Sequence, residues 1–462
     1  MTRPMHVAMT AIATLIATSH VSVLAADQSG ELAAQIAQLK SEIASLSGES
    51  QQWLTEQRAA EIRSIVSDVI ADSDTRTSLQ GSAATAGYND GFFLSSADGN
   101  FSMKINVLEQ IRWTFNDSKE PVTAPLGGKL LGAPGAAVDG GQSYGFENKR
   151  TRLNFSGNMV DSSWSYKLGY YLGYSDSAEA FGAGELSDAY VAKDLGNGFS
   201  VTVGQFKLPF SAEYEVDVGN LQFMDYSTVT YVFDLGYGQG LKLGYEAEMV
   251  RVGVAYVNAF ESANADWSAS SPAAEWSFVG RVDAKLAGNW SQFEHGQSWR
   301  GDGLGAKVGL GLGWERDSIA PGSSTTLFTL DTAVNFGGAN VAAAYYVASF
   351  NDTGDPTLDG AHPDGFTLNG GLFVTDSVEL VARYEWADLD LDLGGAENFS
   401  ALTFGGNWYL AKNSAKLSAD LGYAFDNVTG FYAFEGRSNN WVEDVAGNDG
   451  QWMIRTQLSF SF

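Results

Sequence analysis

From Phe101 to Phe462 the chain repeats one pattern, an apolar or aromatic residue at every second position with polar residues between. In the final segment Trp452, Ile454, Thr456, Leu458, Phe460 and Phe462 alternate with Met453, Arg455, Gln457, Ser459 and Ser461. Period two places the two sets on opposite faces of a β-strand. One face suits lipid and the other water, as a membrane-spanning strand requires. Read alone, the segment also fits the last strand of a soluble sandwich.

The rest of the chain favours the membrane. Phe101, Met103, Ile105, Val107, Ile111, Trp113 and Phe115 share one face, and Lys104, Asn106, Gln110, Arg112 and Thr114 the other, with Leu108 and Glu109 out of phase. The pattern returns at Trp164 to Tyr174, Trp276 to Leu286, Leu304 to Trp314, Phe328 to Phe336, Val378 to Trp386 and Leu402 to Leu410. Aromatic residues gather near the ends of these segments, as interfacial girdles require. Beyond the N-terminus there is no apolar run of about 20 residues, which excludes a helical membrane protein. Counting the segments predicts an all-β transmembrane barrel of about 16 antiparallel strands across residues 101–462.

Connections alternate in length. Short ones fall at Val160 to Ser163, Leu195 to Gly198, Ala247 to Glu248, Gly337 to Gly338, Thr375 to Ser377 and Ala411 to Ser414. Long ones include 116–145, 207–238, 259–274, 351–364 and 427–449, with 207–238 third among the long connections in chain order. Short turns face the periplasm and long loops the outside. The connection 288–302 is long where a short turn is due, and the pattern alone offers no reason for it.

Upstream, residues 1–25 carry Arg3, an apolar run and Val23-Leu24-Ala25, the form of a signal peptide. Residues 27–72 read as coiled-coil and amphipathic helices. Leu32, Ile36, Leu39, Ile43 and Leu46 are spaced 4, 3, 4, 3, an a/d seam. A seam this short is not stable alone, so self-association, most simply a homotrimer with the helix in the periplasm, is expected; a helix lying on its own barrel is the alternative. Residues 73–100 read as a linker. The pattern places the protein in the outer membrane of a Gram-negative bacterium, with lipid and lipopolysaccharide as its surroundings.

Charge narrows the partners. The formal net charge is −28, and loss of Arg3 with the leader makes it −29, so nucleic acid is excluded as a partner. There is no Cys, hence no disulfide or thiolate metal site. By alternation Arg112, Arg150, Arg152, Arg251, Arg281, Arg383 and Arg455 face the lumen, with Lys104, Lys167, Lys242, Lys285, Lys307 and Lys416. A lipid-facing Lys or Arg costs about 2–4 kcal/mol at midplane, so inward placement needs no function, although several on one wall would line a pore.

The third long connection carries Glu213, Glu215, Asp217, Asp225 and Asp234. Folded into the barrel, these acids would oppose the basic wall and set a transverse field at a constriction; left outside, they are ordinary surface charge. No catalytic residues, cofactor or metal site are expected. His295 and His362 lie in connections, away from any strand-borne Ser. Gly309, Gly311 and Gly313 sit at period two on a strand's polar face, which suits a crowded or bare wall better than a phosphate loop. The acids Asp388, Asp390 and Asp392, with Asp352, Asp355, Asp359 and Asp364, match no EF-hand spacing.

Five stretches resemble the phosphate-selective porins O and P: Asp98-Gly99-Asn100-Phe101, Lys149 to Gly157, Val203-Gly204-Gln205-Phe206-Lys207-Leu208-Pro209-Phe210, Gly288 to Phe293 and Trp299-Arg300-Gly301. The resemblance implies a sixteen-stranded trimeric porin whose family pattern includes the long connection at 288–302. Phosphate-selective members use an arginine ladder and a lysine-rich constriction. Here the segment from Lys207 to Asp234 holds one lysine and five carboxylates. The expected function is therefore passive diffusion of small hydrophilic solutes and ions with weak cation preference. The alternatives are an anion- or phosphate-specific porin and, from another class, a structural anchor that ties the coiled coil to the cell wall.

Overall fold

The computed structural model describes residues 37, 38, 40, 41, 84–89, 91–118, 141–172, 184–264, 274–316, 322–351, 359–390, 397–433, 440–444 and 449–462. Sixteen strands, from Ser102–Asp117 to Gln451–Ser461, form a closed antiparallel barrel in which each pairs with its sequence neighbour. Closure joins the last strand to the first in register from Trp452↔Asp117 to Ser461↔Leu108, and leaves no edge along that length. Phe462 extends the seam by exchanging backbone hydrogen bonds with Val107 at 2.7 and 3.0 Å. No described helix is long and apolar enough to cross a membrane.

Alternation decides which face is which. Along Gly305–Arg316, Leu310, Leu312 and Trp314 are exposed on the outside, while the glycines between them are buried. Tyr256, Trp276, Phe278 and Trp314 pack into an outward aromatic group at the ends of neighbouring strands, with centroids 5.3–6.3 Å apart. Phe199 and Tyr245 pair at the opposite rim. The outer surface is thus an apolar belt between aromatic girdles.

Three features depart from simple alternation. The linker reading of 73–100 is corrected at Thr85–Tyr88 and Phe92–Ser95, which form a hairpin paired to the start of the first barrel strand. The β-branched and aromatic residues there are strand formers, and a free strand edge was available below Phe462. Secondly, a bulge between Gln110 and Ile111 in the pairing of the first two barrel strands turns both Lys149 and Arg150 inward. Finally, 288–302 folds back as a short 3-10 turn, Trp290–Phe293, and a loop instead of a tight turn. The signal peptide and the seam residues Leu32, Ile36, Leu39, Ile43 and Leu46 lie outside the described residues.

Candidate functional site

Between the fifth barrel strand, Phe199–Lys207, and the sixth, Tyr237–Glu246, the chain crosses the lumen. It does so in short capped pieces. Ser211 accepts from Tyr214 N at the start of Ala212–Glu215, Asp217 from Gly219 N before Val218–Asn220, and Ser227 from Thr230 N before Thr228–Phe233. Such caps satisfy helix-end donors that the lumen would otherwise bury. Phe210, Val229, Phe233 and Leu235 are buried against wall residues such as Val279, Leu327 and Tyr346. Where the loop lies flush on the wall, the glycines take on a meaning: a Cβ at Gly311 would run into the Phe210 carbonyl, and one at Gly309 into Arg281.

Charge fixes the loop at several points. Asp225 receives Arg112 at 2.6 Å and Arg150 and Arg455 at 2.9 Å, all buried, while Arg455 also grips Asp420 at 2.6 Å. Arg152 donates to both Asp217 oxygens at 2.6 Å. Arg383 reaches Glu213 at 2.7 Å and stacks on Phe223. Arg281 holds Asp331 at 2.7 Å and Asp283 at 2.6 Å, donates to the Phe210 carbonyl at 2.7 Å, and stands 3.7 Å from Glu215. Lys416 donates to Leu221 O at 2.6 Å. Bidentate guanidinium pairs of this kind are strong and directional.

Other predicted residues stand apart from the loop's tip. Lys167 pairs with Asp188 at 2.8 Å, and Lys242 lies over Phe206. Arg251 pairs with Glu246 and stacks on Trp290, where Lys285 also rests. Lys307 approaches Asp283 at 3.5 Å. Lys104 sits beside the hairpin at Gly91. Of the five acids, Glu215 and Asp217 keep side-chain exposures of 41% and 36%, whereas Asp225 keeps 1%. Asp234 accepts from Gly236 N at 2.7 Å and has one buried oxygen without a partner. Among the described residues no acid or histidine cluster could hold a metal ion.

Two contributors escape the pattern. Lys149 is buried near Asp225 only because of the bulge. Gln222 forms an uncharged clamp, donating to Glu379 at 2.6 Å and Asn340 at 2.7 Å, while Asn407 donates to its carbonyl at 2.8 Å. Glu379, Asn340 and Asn407 are readable as inward strand positions, but nothing in the loop marks Gln222 as their partner.

The folded-back connection meets the loop from below. Gly296 N donates to Asn220 O at 3.1 Å, and Asn340 Nδ2 to Gly296 O at 3.0 Å. Gln297 bonds Asn413, and Trp299 packs on Phe373 and Tyr409. Its length therefore serves to reach the lumen loop. Loop, connection and wall together line an open recess whose walls include Glu213, His295, Lys307, Asp331 and Arg383.

Comparison with known proteins agrees with this geometry. Residues 133–353 match the family described as phosphate-selective porin O and P. The fold is similar to the anion-selective porin from Comamonas acidovorans (TM-score 0.54, 14% identity, 78% of this chain and 99% of that one). It is also similar to OmpF of Salmonella typhi solved with daunomycin (0.51, 12%, 82% and 100%) and to the trimer form of OmpT of Vibrio cholerae (0.50, 15%, 78% and 99%). No curated protein matches the chain. The chain folds as a sixteen-stranded barrel similar to those of porins, and its residues 133–353 match the phosphate-selective porin O and P family.

Proposed function

We propose that the protein is an outer-membrane channel through which small hydrophilic solutes and ions diffuse passively, as a homotrimer with its N-terminal helices in the periplasm. One observation carries the reading: a loop is laid across the lumen and bonded to the wall by arginines, a construction suited to narrowing a water path. The mechanism is sieving and electrostatics, with no turnover. The OmpT structure solved as a trimer supports the oligomer.

Selectivity follows from which charges stay wet. Asp225 and Glu213 are neutralised by their arginines, so they contribute little field beyond their pairs. Glu215 and Asp217 remain part-exposed, and they support weak cation preference. An anion-preferring channel is the second reading, favoured by Arg112, Arg150, Arg455 and Lys149 gathered around Asp225. Single-channel recording in planar bilayers with a salt gradient decides between them. A reversal potential on the cation side supports the first, one on the anion side the second, and absence of any conductance overturns the channel itself.

A further inference from the structure

Tyrosines of the lumen loop and the sixth barrel strand touch in sequence. Tyr231 meets Tyr226 at 5.5 Å between ring centroids, Tyr226 meets Tyr214 at 4.8 Å, and Tyr214 meets Tyr237 at 6.3 Å. Lys207 ties this band to the wall, lying over the Tyr214 ring at 4.8 Å and donating to Tyr226 Oη at 2.9 Å. Tyr226 is buried, while Tyr214, Tyr231 and Tyr237 are part-exposed. The neighbouring wall continues the band. Arg152 of the second barrel strand, Gln142–Met159, lies over Tyr171 of the third, Asp161–Leu172, at 5.7 Å. Tyr190 of the fourth, Glu185–Gly196, stands opposite Lys167 in register, and both of these wall tyrosines are part-exposed as well.

Beside the rings, hydrogen-bonding capacity is left over. Among the described residues, Asn154 Oδ1, Ser187 Oγ and Arg152 Nε are buried without a partner. A bulge gathers them: pairing of the third and fourth strands slips between Leu168 and Tyr170, and Ser187 and Asp188 both become buried. Gly169 pairs with Asn154 and leaves the room, since a Cβ there would run into Ser187 Oγ and stand 3.0 Å from Asn154 Oδ1. Buried polar atoms without partners call for water or a ligand group. Charge, by contrast, is spent: Arg152 is paired with Asp217 and Lys167 with Asp188.

We infer that this tyrosine band, with Arg152, Asn154, Lys167 and Ser187, is a binding track for a neutral carbohydrate. The inference rests on the channel reading above and names a solute class for it. Asn154 Oδ1 can only accept and Arg152 Nε can only donate, so a carboxylate or an ammonium would serve one of them, whereas a hydroxyl serves both. A pyranose ring also presents a face of C–H bonds, which the negative face of a tyrosine ring attracts. Paired charges leave little net field to reward a charged solute. Several weak stacking places in succession let a solute enter and still leave, as conduction requires.

Single-channel current through the unmodified protein in planar bilayers, with maltose, sorbitol or benzoate added, tests the track. Maltose should lower the conductance saturably, whereas sorbitol, which has the hydroxyls but no ring face, should lower it only in proportion to viscosity. Equal effects of the two overturn the inference. Saturable block by benzoate without block by maltose overturns the carbohydrate class and gives the rings to aromatic anions. Absence of conductance in plain salt rejects the channel and the inference together, while conductance without saturable maltose block rejects the inference alone. Tyr171→Ala combined with Tyr237→Ala should raise the half-effect concentration of maltose severalfold, and the corresponding Phe pair, which keeps the ring faces, should raise it less. Asn154→Ala with Ser187→Ala should also weaken the block, and block unchanged in both alanine pairs overturns the location. Should an alanine pair fail to assemble, cryo-electron density of the unmodified protein with maltose decides: density against Tyr171 and Tyr237 supports the track, and its absence there overturns it.

Discussion

The Asp225 carboxylate lies 2.6 Å from Arg112, an ion pair that ties the lumen loop to the barrel's closing seam. Arg150 and Arg455 share the same carboxylate, so Asp225→Asn would leave several buried guanidinium groups short of an acceptor. Breaking a buried pair costs about 3–5 kcal/mol, and here the loop should bear it. Asp225→Asn is expected to lower the unfolding midpoint, expose the loop to protease and raise open-channel noise. Burial alone would raise the Asp225 carboxyl, but Arg112, Arg150, Lys149 and Arg455 outweigh it and hold it far below the ordinary range. Its contribution is therefore complete above the unfolded value of about 3.9 and fades only as pH falls below that. Loop protection should be as strong at pH 5 as at pH 7.

Asp234 has the opposite sign. Burial pushes its carboxyl well above the ordinary value, the Gly236 N–H and Lys207 opposing, Glu261 and Glu215 adding. A raised acid costs stability progressively as pH climbs from its unfolded value toward its folded one. Asp234→Asn can still accept from Gly236 and removes that cost. Its unfolding midpoint should exceed the parent's at pH 8, by about 2–4 °C for each kcal/mol gained, and converge with it near pH 4. A gap that does not change with pH would refute the assignment.

The strands were legible because a barrel wall imposes one rule, apolar out and polar in, at every second residue. Arg112 and Arg455 follow it, and their places can be read from their neighbours alone. Lys149 breaks it through a bulge that no local residue announces, and Leu108 breaks it because the loop offers an apolar surface inside the lumen. The position of the third long connection suggests where a constriction belongs, but which acid meets which arginine is set by the loop's path, as Asp225 and Gln222 show. Hairpin strands at Thr85–Tyr88 and Phe92–Ser95 were hidden by the small polar residues around them.

The long connection at 288–302 should act as a second brace. Gly296 lies so close to the lumen loop that a Cβ there would stand 2.7 Å from Gln222 N. Gly296→Val is expected to separate connection from loop, breaking the bonds to Asn220 and Asn340. Unitary conductance or its fluctuation should rise while assembly stays normal, as judged by heat-modifiable mobility on gels. Conductance and noise equal to the parent's would mean that the connection does not restrain the loop.

Self-association through the seam makes a separate prediction. Leu39 and Ile43 are mid-seam in the sequence, and Asp at both would bury unpaired charge between helices. The double variant should lose its oligomer on unheated gels several degrees below the parent. Identical melting would show that the barrel wall alone holds the copies together.

Ion selectivity tests the wet acids directly. Glu215 stands 3.7 Å from Arg281 and Asp217 is gripped by Arg152, yet both keep side-chain surface in water. Burial would raise the Asp217 carboxyl, but Arg152 and Lys207 overcome it and keep it ionised throughout the neutral range. Replacing the two acids by Gln and Asn removes two negative charges and frees Arg152, so the reversal potential should move toward anions. Raising the salt toward 1 M, where the Debye length is about 3 Å, should shrink the difference. Replacing Arg152 by Gln frees Asp217 instead and should move the potential toward cations. If both substitutions shift it in the same direction, the Arg152–Asp217 pair does not set the field at the constriction.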